Sequence, residues 1–306
     1  MRRLLIIAAM LLVAGSVSAQ QREWLGHSRM FTNDYIGDGA DRWRTGSYGV
    51  SFVRGDSWTG ENPDRFGELI EFRVRSEIIA PADLSNPVLG TDRPYVGVLQ
   101  AGAFSHMKAG DADMTVGLDL VITGPQTGLG AFQNWVHTGL GMAPLAVLGS
   151  QIGNAVYPTL SGEISREYDL GGSGNYKVAV RPFVEAQAGV ETFLRVGGDI
   201  ALGNIRRGDL MLRDPTTGQR GTAIKGDRAR GHTFVIGGDV ALMQSSRLLP
   251  GGSGYTLVPL RKRIRAGVYK EYEKGSVFYG LTWLGREFTN QPQNQIVGSF
   301  YVRMGF

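Results

Sequence analysis

Alternation of apolar and polar residues, repeated along most of the chain, is the feature that most restricts its fold. In the segment from Lys177 to Val190 the even-numbered residues are apolar, whereas Arg181, Glu185 and Gln187 share the other face. Successive side chains of a β-strand point to opposite sides, so this pattern predicts a strand with one apolar and one polar face. Segments of roughly ten residues with this pattern are typical of strands that cross an outer membrane.

Two further segments, from Lys262 to Tyr272 and from Ser276 to Gly285, alternate in the same way. The segment from Glu68 to Ile79, taken alone, would also fit a soluble sheet with one wet face. We count about twelve such segments, and an even number lets an antiparallel barrel close with both termini at one end. The predicted strands cover residues 28–36, 45–55, 67–80, 94–107, 112–123, 155–169, 174–189, 192–204, 231–243, 259–273, 275–288 and 295–306. A secreted β-sandwich is the soluble alternative.

The N-terminus has the features of a secretory signal peptide. Arg2 and Arg3 form a positive region, residues 4–14 are apolar, and Val17 and Ala19 fit a small-x-small cleavage site. The apolar run is too short for a transmembrane helix. We therefore expect residues 1–19 to be a signal peptide and residues 20–306 to form a single outer-membrane barrel domain.

Composition excludes several classes of function. The chain contains no cysteine, so disulfides, thiolate catalysis and cysteine-bound metals are ruled out. The formal net charge is +4, to which Arg2 and Arg3 of the signal peptide contribute. Such a small surplus argues against a nucleic-acid-binding protein, which would carry a clustered basic face. No run after the signal peptide approaches ~18 apolar residues, so the sequence predicts no helical membrane span.

The last predicted strand indicates where the protein resides. It places Phe300, Val302, Met304 and Phe306 on one face and ends on the aromatic residue. A final strand of this kind resembles the assembly signal of bacterial outer-membrane barrels. We therefore expect the outer membrane as the location and the barrel assembly machinery as a partner.

A long, glycine-rich stretch from Gly124 to Asn154 separates two predicted strands. Connections of this length are usually functional, and this one contains His137, one of four histidines in the chain. The predicted fold is therefore all-β, a transmembrane antiparallel barrel of about twelve strands. Its long extracellular loop is expected to be partly helical.

The strand count also predicts which loops face outward. With periplasmic termini, the extracellular connections are residues 37–44, 81–93, 124–154, 190–191, 244–258 and 289–294. The connection at 205–230 would then be periplasmic, against the usual trend of short periplasmic turns. It shows no apolar stripe, which predicts a mobile segment without a site.

Several polar residues gather at the predicted outer rim. Asn33 and Asp34 end the first strand, and Thr45 opens the next, so the hairpin brings Asp34 close to Thr45. A carboxylate, a hydroxyl and an amide in one place fit a hard-cation site. The alternatives are that Asp34 is only a turn residue and that His137 is only a solvated loop histidine. The pairs Asp41-Arg42 and Asp92-Arg93 are interpreted as ion-paired rim residues.

Several motifs in the same order along the chain resemble those of the outer-membrane lipid A 3′-O-deacylases. They are Asn33-Asp34, the DRWRTG segment at 41–46, the DRPYVG segment at 92–97, the GPQTGLGAFQNWVH segment at 124–137, and Gln151 with Asn154. The resemblance extends over most of the mature chain. It implies a twelve-stranded barrel with a calcium-dependent site at its extracellular end.

The same resemblance implies roles for individual residues. His137 matches the catalytic histidine, which activates water. The catalytic group also includes Asn33, Asp34 and Thr45, of which Asp34 and Thr45 would bind Ca²⁺. The substrate-binding positions would be Gln133, Asn134 and Gln151. This chain departs from some relatives because residues 137–150 contain no carboxylate, so Asp34 is expected to be nearly the only charge around the ion.

The sequence therefore predicts a calcium-dependent carboxylic ester hydrolase that acts on lipid A of lipopolysaccharide in the outer leaflet, at a 3′-O-linked acyl or acyloxyacyl group. A neutral imidazole can take a proton from water near neutral pH, and a cation stabilises the oxyanion. Two alternatives remain: another outer-membrane lipid esterase or phospholipase that uses a serine, and a catalytically inactive structural or permeability barrel.

Overall fold

In the computed structural model, residues 22–85, 92–173, 176–204, 208–226, 231–251, 255–272 and 275–304 are described. The predicted signal peptide, residues 1–19, and the terminal Phe306 lie outside these ranges. Among the described residues, no helix is both long enough and apolar enough to cross a membrane.

The chain forms a closed antiparallel barrel of twelve strands. The strands of the chain are β1 (Glu23–Asn33), β2 (Trp43–Gly55), β3 (Leu69–Ala80), β4 (Val96–Ala109), β5 (Ala112–Thr123), β6 (Ala155–Ser165), β7 (Tyr168–Ser173), β8 (Tyr176–Ala188), β9 (Glu191–Gly203), β10 (Leu210–Arg213), β11 (Arg220–Ile224), β12 (Gly231–Ser246), β13 (Leu260–Tyr272), β14 (Gly275–Leu284) and β15 (Gln295–Met304). The barrel closes where β1 pairs with β15, with Phe31 opposite Phe300.

Three of these strands are not among the twelve that form the barrel wall. The short β7 pairs with the start of β8 and continues the line of β6, which pairs with the end of β8. Among the described strands, β10 and β11 form a separate two-stranded sheet. The predicted barrel strands agree closely with the observed ones, except that the first strand begins at Glu23 rather than residue 28.

The two faces of the wall follow the alternation in the sequence. Outward positions such as Val184 and Leu281 are exposed and apolar, as expected for a surface that faces lipid. Inward positions carry charges that pair with each other. Arg265, for example, lies 2.5 Å from Asp239 and 2.6 Å from Asp199. Pairing is required because an isolated buried charge is strongly unfavourable.

The connection after β9 corrects the prediction of a mobile segment without an apolar stripe. Its described part, residues 208–226, folds back into the barrel as the β10–β11 hairpin. Leu210, Leu212, Ala223 and Ile224 pack against Val53 and Leu69 of the wall. At Gly26 of β1, an added Cβ would lie 2.1 Å from the carbonyl oxygen of Ala223, so only glycine permits this close approach. The apolar residues occupy two very short strands, Leu210–Arg213 and Arg220–Ile224, which is why no stripe was visible in the sequence.

Six connections share one end of the barrel. Because β1 starts and β15 finishes at the same end, the described parts of the connections at 34–42, 81–95, 124–154, 189–190, 247–259 and 285–294 lie at the other. They correspond to the six loops predicted to be extracellular. We call this end the loop end.

Candidate active site at the loop end of the barrel

The long loop contains a helix that presents His137 to the barrel. Helix α1 (Leu129–Gly139) follows a 3₁₀ turn at Pro125–Thr127, and a second 3₁₀ turn spans Ala146–Ser150. The buried positions of α1 are Gly130, Gln133 and His137, which a helical spacing of three and four residues places on one face. The segment therefore has more regular structure than its glycine content suggested.

Close contact with β4 fixes the start of this segment. A Cβ added to Gly97 would lie 2.5 Å from Thr127 Oγ1 and 3.0 Å from Leu129 Cβ. The backbone N–H of Gly124 also donates to the carbonyl of Gly97 at 3.1 Å. A side chain at position 97 would push the helix away from the wall.

The β1–β2 connection brings its acidic residues back toward the strand ends. Asp34 O accepts backbone hydrogen bonds from Gly37, Asp38 and Gly39, which closes the turn. Trp43 then adopts a left-handed conformation with φ 51°, the only such non-glycine among the described residues. Its buried indole donates to Asp92 Oδ1 at 3.1 Å, so packing and a hydrogen bond hold this unusual backbone in place.

His137 and Asp41 form the central contact of the site. His137 Nε2 lies 2.9 Å from Asp41 Oδ2, whereas Nδ1 is 3.4 Å from the carbonyl oxygen of Ala143. A carboxylate can only accept, so a neutral His137 donates from Nε2 to Asp41. Nδ1 then remains the basic nitrogen. Asp41 thereby orients the ring and favours this tautomer, as a carboxylate does for other catalytic histidines. The 3.4 Å contact of Nδ1 with the Ala143 oxygen becomes a hydrogen bond only when Nδ1 is protonated.

Thr45 links this pair to a second carboxylate. Its hydroxyl lies 2.5 Å from Asp41 Oδ1 and 2.9 Å from Asp34 Oδ1. A hydroxyl has one proton to donate, so it can satisfy only one of these oxygens. Asp34 is fully buried. Burial, together with the nearby charges of Asp41 and Asp38, raises the pKa of Asp34 to about 7, although Arg42 N–H and Thr45 donate to it. An additional positive charge would therefore be favourable here.

The donor atoms fit a hard cation in part. Asp34, Asp41 and Thr45 supply oxygens, and the buried Gln133 Oε1 has no hydrogen-bond partner among the described residues. Gln133 is held beside them because its amide nitrogen donates to Asp41 Oδ1 at 3.1 Å. Carboxylate, hydroxyl and amide oxygens are the ligands that Ca²⁺ prefers. Within the described ranges, however, no group of three or more His, Asp or Glu side chains is placed to hold a metal, so such an ion would need neutral oxygens and water in addition to the carboxylates.

A buried polar layer supports the site from inside the barrel. Gln295 donates to Asp34 Oδ2 at 3.2 Å and to the carbonyl of Arg42 at 2.6 Å, and accepts from Arg44 N–H at 3.2 Å. The Arg44 guanidinium lies 2.8 Å from Glu287. The position of Asp34 is thus tied to the charges that close the loop end of the lumen.

The predicted site residues do not all lie together. The structure brings together His137, Asp34, Thr45 and Gln133. Asn33 is adjacent, and its Oδ1 accepts from Tyr35 N–H at 2.7 Å, which is a turn contact. Two residues predicted to bind substrate have hydrogen bonds within the loop: Asn134 Oδ1 accepts from Leu145 N–H at 2.8 Å, and Gln151 donates to Leu148 O at 2.9 Å.

Asp41 is the residue that sequence reasoning misjudged. It was interpreted as an ion-paired rim residue, yet Arg42 pairs with Asp38 at 3.1 Å, and Asp41 contacts His137. Asp34 is therefore not nearly the only charge in the site. The interpretation of Arg93 as ion-paired is confirmed, because it contacts Glu287. Asp41 is the first residue of the DRWRTG segment, so the motif already pointed to this position. Only the fold shows that its partner is His137.

Comparisons with known proteins agree with this architecture. The profile of the family described as "Outer membrane protein LpxR" matches residues 4–306. The structure of LpxR from Salmonella typhimurium is similar to this chain with a TM-score of 0.79, at 19% sequence identity, over 92% of this chain and 100% of that one.

More distant barrels also match. The KdgM porin gives a TM-score of 0.39 at 8% identity over 92% of this chain and 98% of its own, and the β-domain of the Bordetella autotransporter BrkA gives 0.36 at 12% identity over 92% and 99%. Both similarities are too low to support an argument about function. Comparison with curated proteins finds no match. The match along nearly its full length shows that this chain belongs to the LpxR family of outer membrane proteins.

Proposed function

We propose that the protein is a lipid A deacylase, which hydrolyses an ester that links a 3′-O acyl or acyloxyacyl group to lipid A in the outer leaflet. The observation that carries the proposal is the contact between His137 and Asp41 beside the Asp34–Thr45 cluster. This is a histidine oriented by a carboxylate and next to oxygen ligands, at the end of a membrane barrel. Membership of the LpxR family supports the substrate class, and we place the loop end outside the cell.

His137 acts as the general base. Its Nε2–H donates to Asp41, and Nδ1 accepts a proton from a water molecule that attacks the ester carbonyl. When Nδ1 becomes protonated, the carboxylate of Asp41 stabilises the imidazolium. The proton then passes to the leaving alkoxide, which releases the fatty acid and a free hydroxyl on the sugar.

Asp34, Thr45 and Gln133 would hold Ca²⁺, with Asp41 close by. When bound, the ion would supply positive charge to the oxyanion that develops on the ester carbonyl. The protein residues themselves fix the imidazole, exclude water from Asp34 and keep the oxygens together. No protein nucleophile is required, which agrees with the lack of cysteine.

Purified, detergent-folded protein incubated with lipid A tests the proposal. We expect the wild type to release fatty acid in the presence of calcium, and the His137→Asn variant to release none. Labelling by a covalent serine-hydrolase probe, with activity that survives His137→Asn, would instead support a serine esterase. Absence of release from the folded wild type under all calcium concentrations would support an inactive barrel.

A further inference from the structure

The outward face of helix α1 has no role in the site described above, yet it is strongly apolar. Phe132 is 54% exposed and Trp135 is 70% exposed, with their ring centroids 6.0 Å apart. Leu140 and Met142, just beyond the helix, are also exposed. Several exposed large apolar side chains in one short stretch, two of them in contact, indicate a contact surface. We call these four residues the outer helix face.

The chain around this face carries no formal charge. From Leu120 to Gly162 there is no Asp, Glu, Lys or Arg. The other loops at this end differ, since the 34–42 loop contains three aspartates and an arginine, and the 285–294 loop contains Arg286 and Glu287. Of the other connections at this end, only the two-residue turn at 189–190 also lacks a charge. A loop as long as 124–154 that projected into water would be expected to carry charged residues.

The outer helix face belongs to a loop whose two flanking strands already carry an apolar outward surface. The loop joins β5 to β6, which are neighbours in the barrel. The outward residues of these strands are exposed and apolar, including Leu118, Leu120, Val156 and Leu160. Aromatic residues above such a band are typical of the membrane interface.

We propose that the outer helix face lies in the outer leaflet and contacts lipid acyl chains. An amphipathic helix in the interface turns its apolar side to the acyl chains and its polar side away. In α1 the polar side carries Gln133 and His137, which face the barrel. The helix would therefore form a boundary between the site and the lipid layer.

This position has a consequence for substrate access, which rests on the proposed function. His137 and Trp135 are two residues apart on different faces of α1. A lipid could therefore present its ester to His137 while its acyl chains remain beside the outer helix face. Lateral entry of this kind would avoid moving the acyl chains through water, which is unfavourable in proportion to the apolar area exposed.

The natural absence of cysteine permits a direct test of depth. Single cysteines would replace Trp135, Val156 and Gln293 in the full chain, and each would carry a spin label in lipid vesicles. Val156 is the lipid-facing reference, and Gln293 is an exposed polar residue of another loop at the same end. The measurement is the ratio of label relaxation by oxygen, which enters lipid, to relaxation by a water-soluble nickel complex.

We expect the ratio at position 135 to be close to that at position 156 and well above that at position 293. A ratio like that at position 293 would overturn the proposal. Low access to both reagents with spin–spin broadening would also overturn it, because the face would then contact a second copy of the chain. Phe132→Cys serves as the second variant if Trp135→Cys does not fold.

Activity provides a separate test of substrate entry. We expect Trp135→Gln combined with Phe132→Gln to lose activity on lipid A in vesicles but to retain it on detergent-dispersed lipid A. Equal activity of variant and wild type on vesicles would overturn lateral entry. The depth measurement does not depend on catalysis, so failure of the deacylase proposal and failure of the membrane contact would be distinguishable.

Discussion

Replacing Asp41 by asparagine is the perturbation that most directly tests how the site works. Asparagine has the same shape but no negative charge, and it can still accept a hydrogen bond from His137 Nε2. Two effects of the carboxylate would be lost: stabilisation of the imidazolium during proton transfer, and strong selection of the tautomer that leaves Nδ1 basic. Thr45 and Gln133 would still contact the side chain, so the fold of the loop should persist.

The size of the effect follows from the geometry. A hydrogen bond to a charged group contributes about 1.5–3 kcal/mol, and the 2.9 Å contact between Nε2 and Oδ2 is short enough to be of this kind. The Asp41 side chain is 27% exposed, so solvent screening favours the lower part of this range. Each ~1.4 kcal/mol corresponds to a factor of ten. We therefore expect kcat to fall about ten- to fortyfold.

The assay is steady-state deacylation of lipid A by detergent-folded protein at saturating calcium. Asp38→Asn is the matched control, because it removes the same charge from the same loop but Asp38 pairs with Arg42 instead of His137. We expect Asp38→Asn to retain most of the wild-type kcat. Equal losses in the two variants would refute the pairing argument. Recovery of Asp41→Asn at higher calcium would show that Asp41 acts through the ion instead.

Five further outcomes are expected. His137→Asn should abolish turnover at every calcium concentration while calcium binding, measured by calorimetry, is retained. Asp34→Asn should weaken calcium binding and regain part of its activity as calcium is raised. In the wild type, calcium affinity should fall as the pH drops below about 7, because the raised pKa of Asp34 lets protons compete with the ion, and affinity independent of pH from 8 to 6 would contradict this. Leu281→Arg should destabilise the barrel by ~2–4 kcal/mol if it lies near mid-bilayer, whereas Leu281→Ala should cost less in the same urea titration. Gly26→Ala should displace the lumen hairpin and raise single-channel conductance in planar bilayers, whereas Gly49→Ala, whose Cβ would meet only Arg75 at 3.8 Å or more, should not.

The barrel was predictable because its wall has a simple physical rule. Lipid outside and charge pairs inside impose a period of two on every strand of the barrel wall. The alternation alone therefore predicts that Val184 faces outward and that Arg265 faces the lumen. The hairpin in the lumen was not predictable in this way. Its apolar residues, such as Leu210 and Leu212, pack on a small patch of wall whose partners come from distant parts of the chain.

The site likewise contains contacts that the sequence predicts and contacts that only the fold reveals. Asp34 and Thr45 meet because they flank one hairpin, and the sequence order alone brings them together. The contact of His137 with Asp41 joins residues from two different loops, so it depends on how α1 packs against β4 at Gly97. The roles of Asn134 and Gln151 within the loop also required coordinates, because a polar side chain can bind backbone as readily as substrate.

Mass spectrometry of lipid A from cells with and without this protein tests the central claim most directly. Cells that produce the wild type should contain lipid A that lacks one acyl or acyloxyacyl group, and cells that produce equal amounts of folded His137→Asn protein should contain unmodified lipid A. Identical lipid A spectra in all three strains, with the wild-type protein folded in the outer membrane and calcium present, would contradict the account.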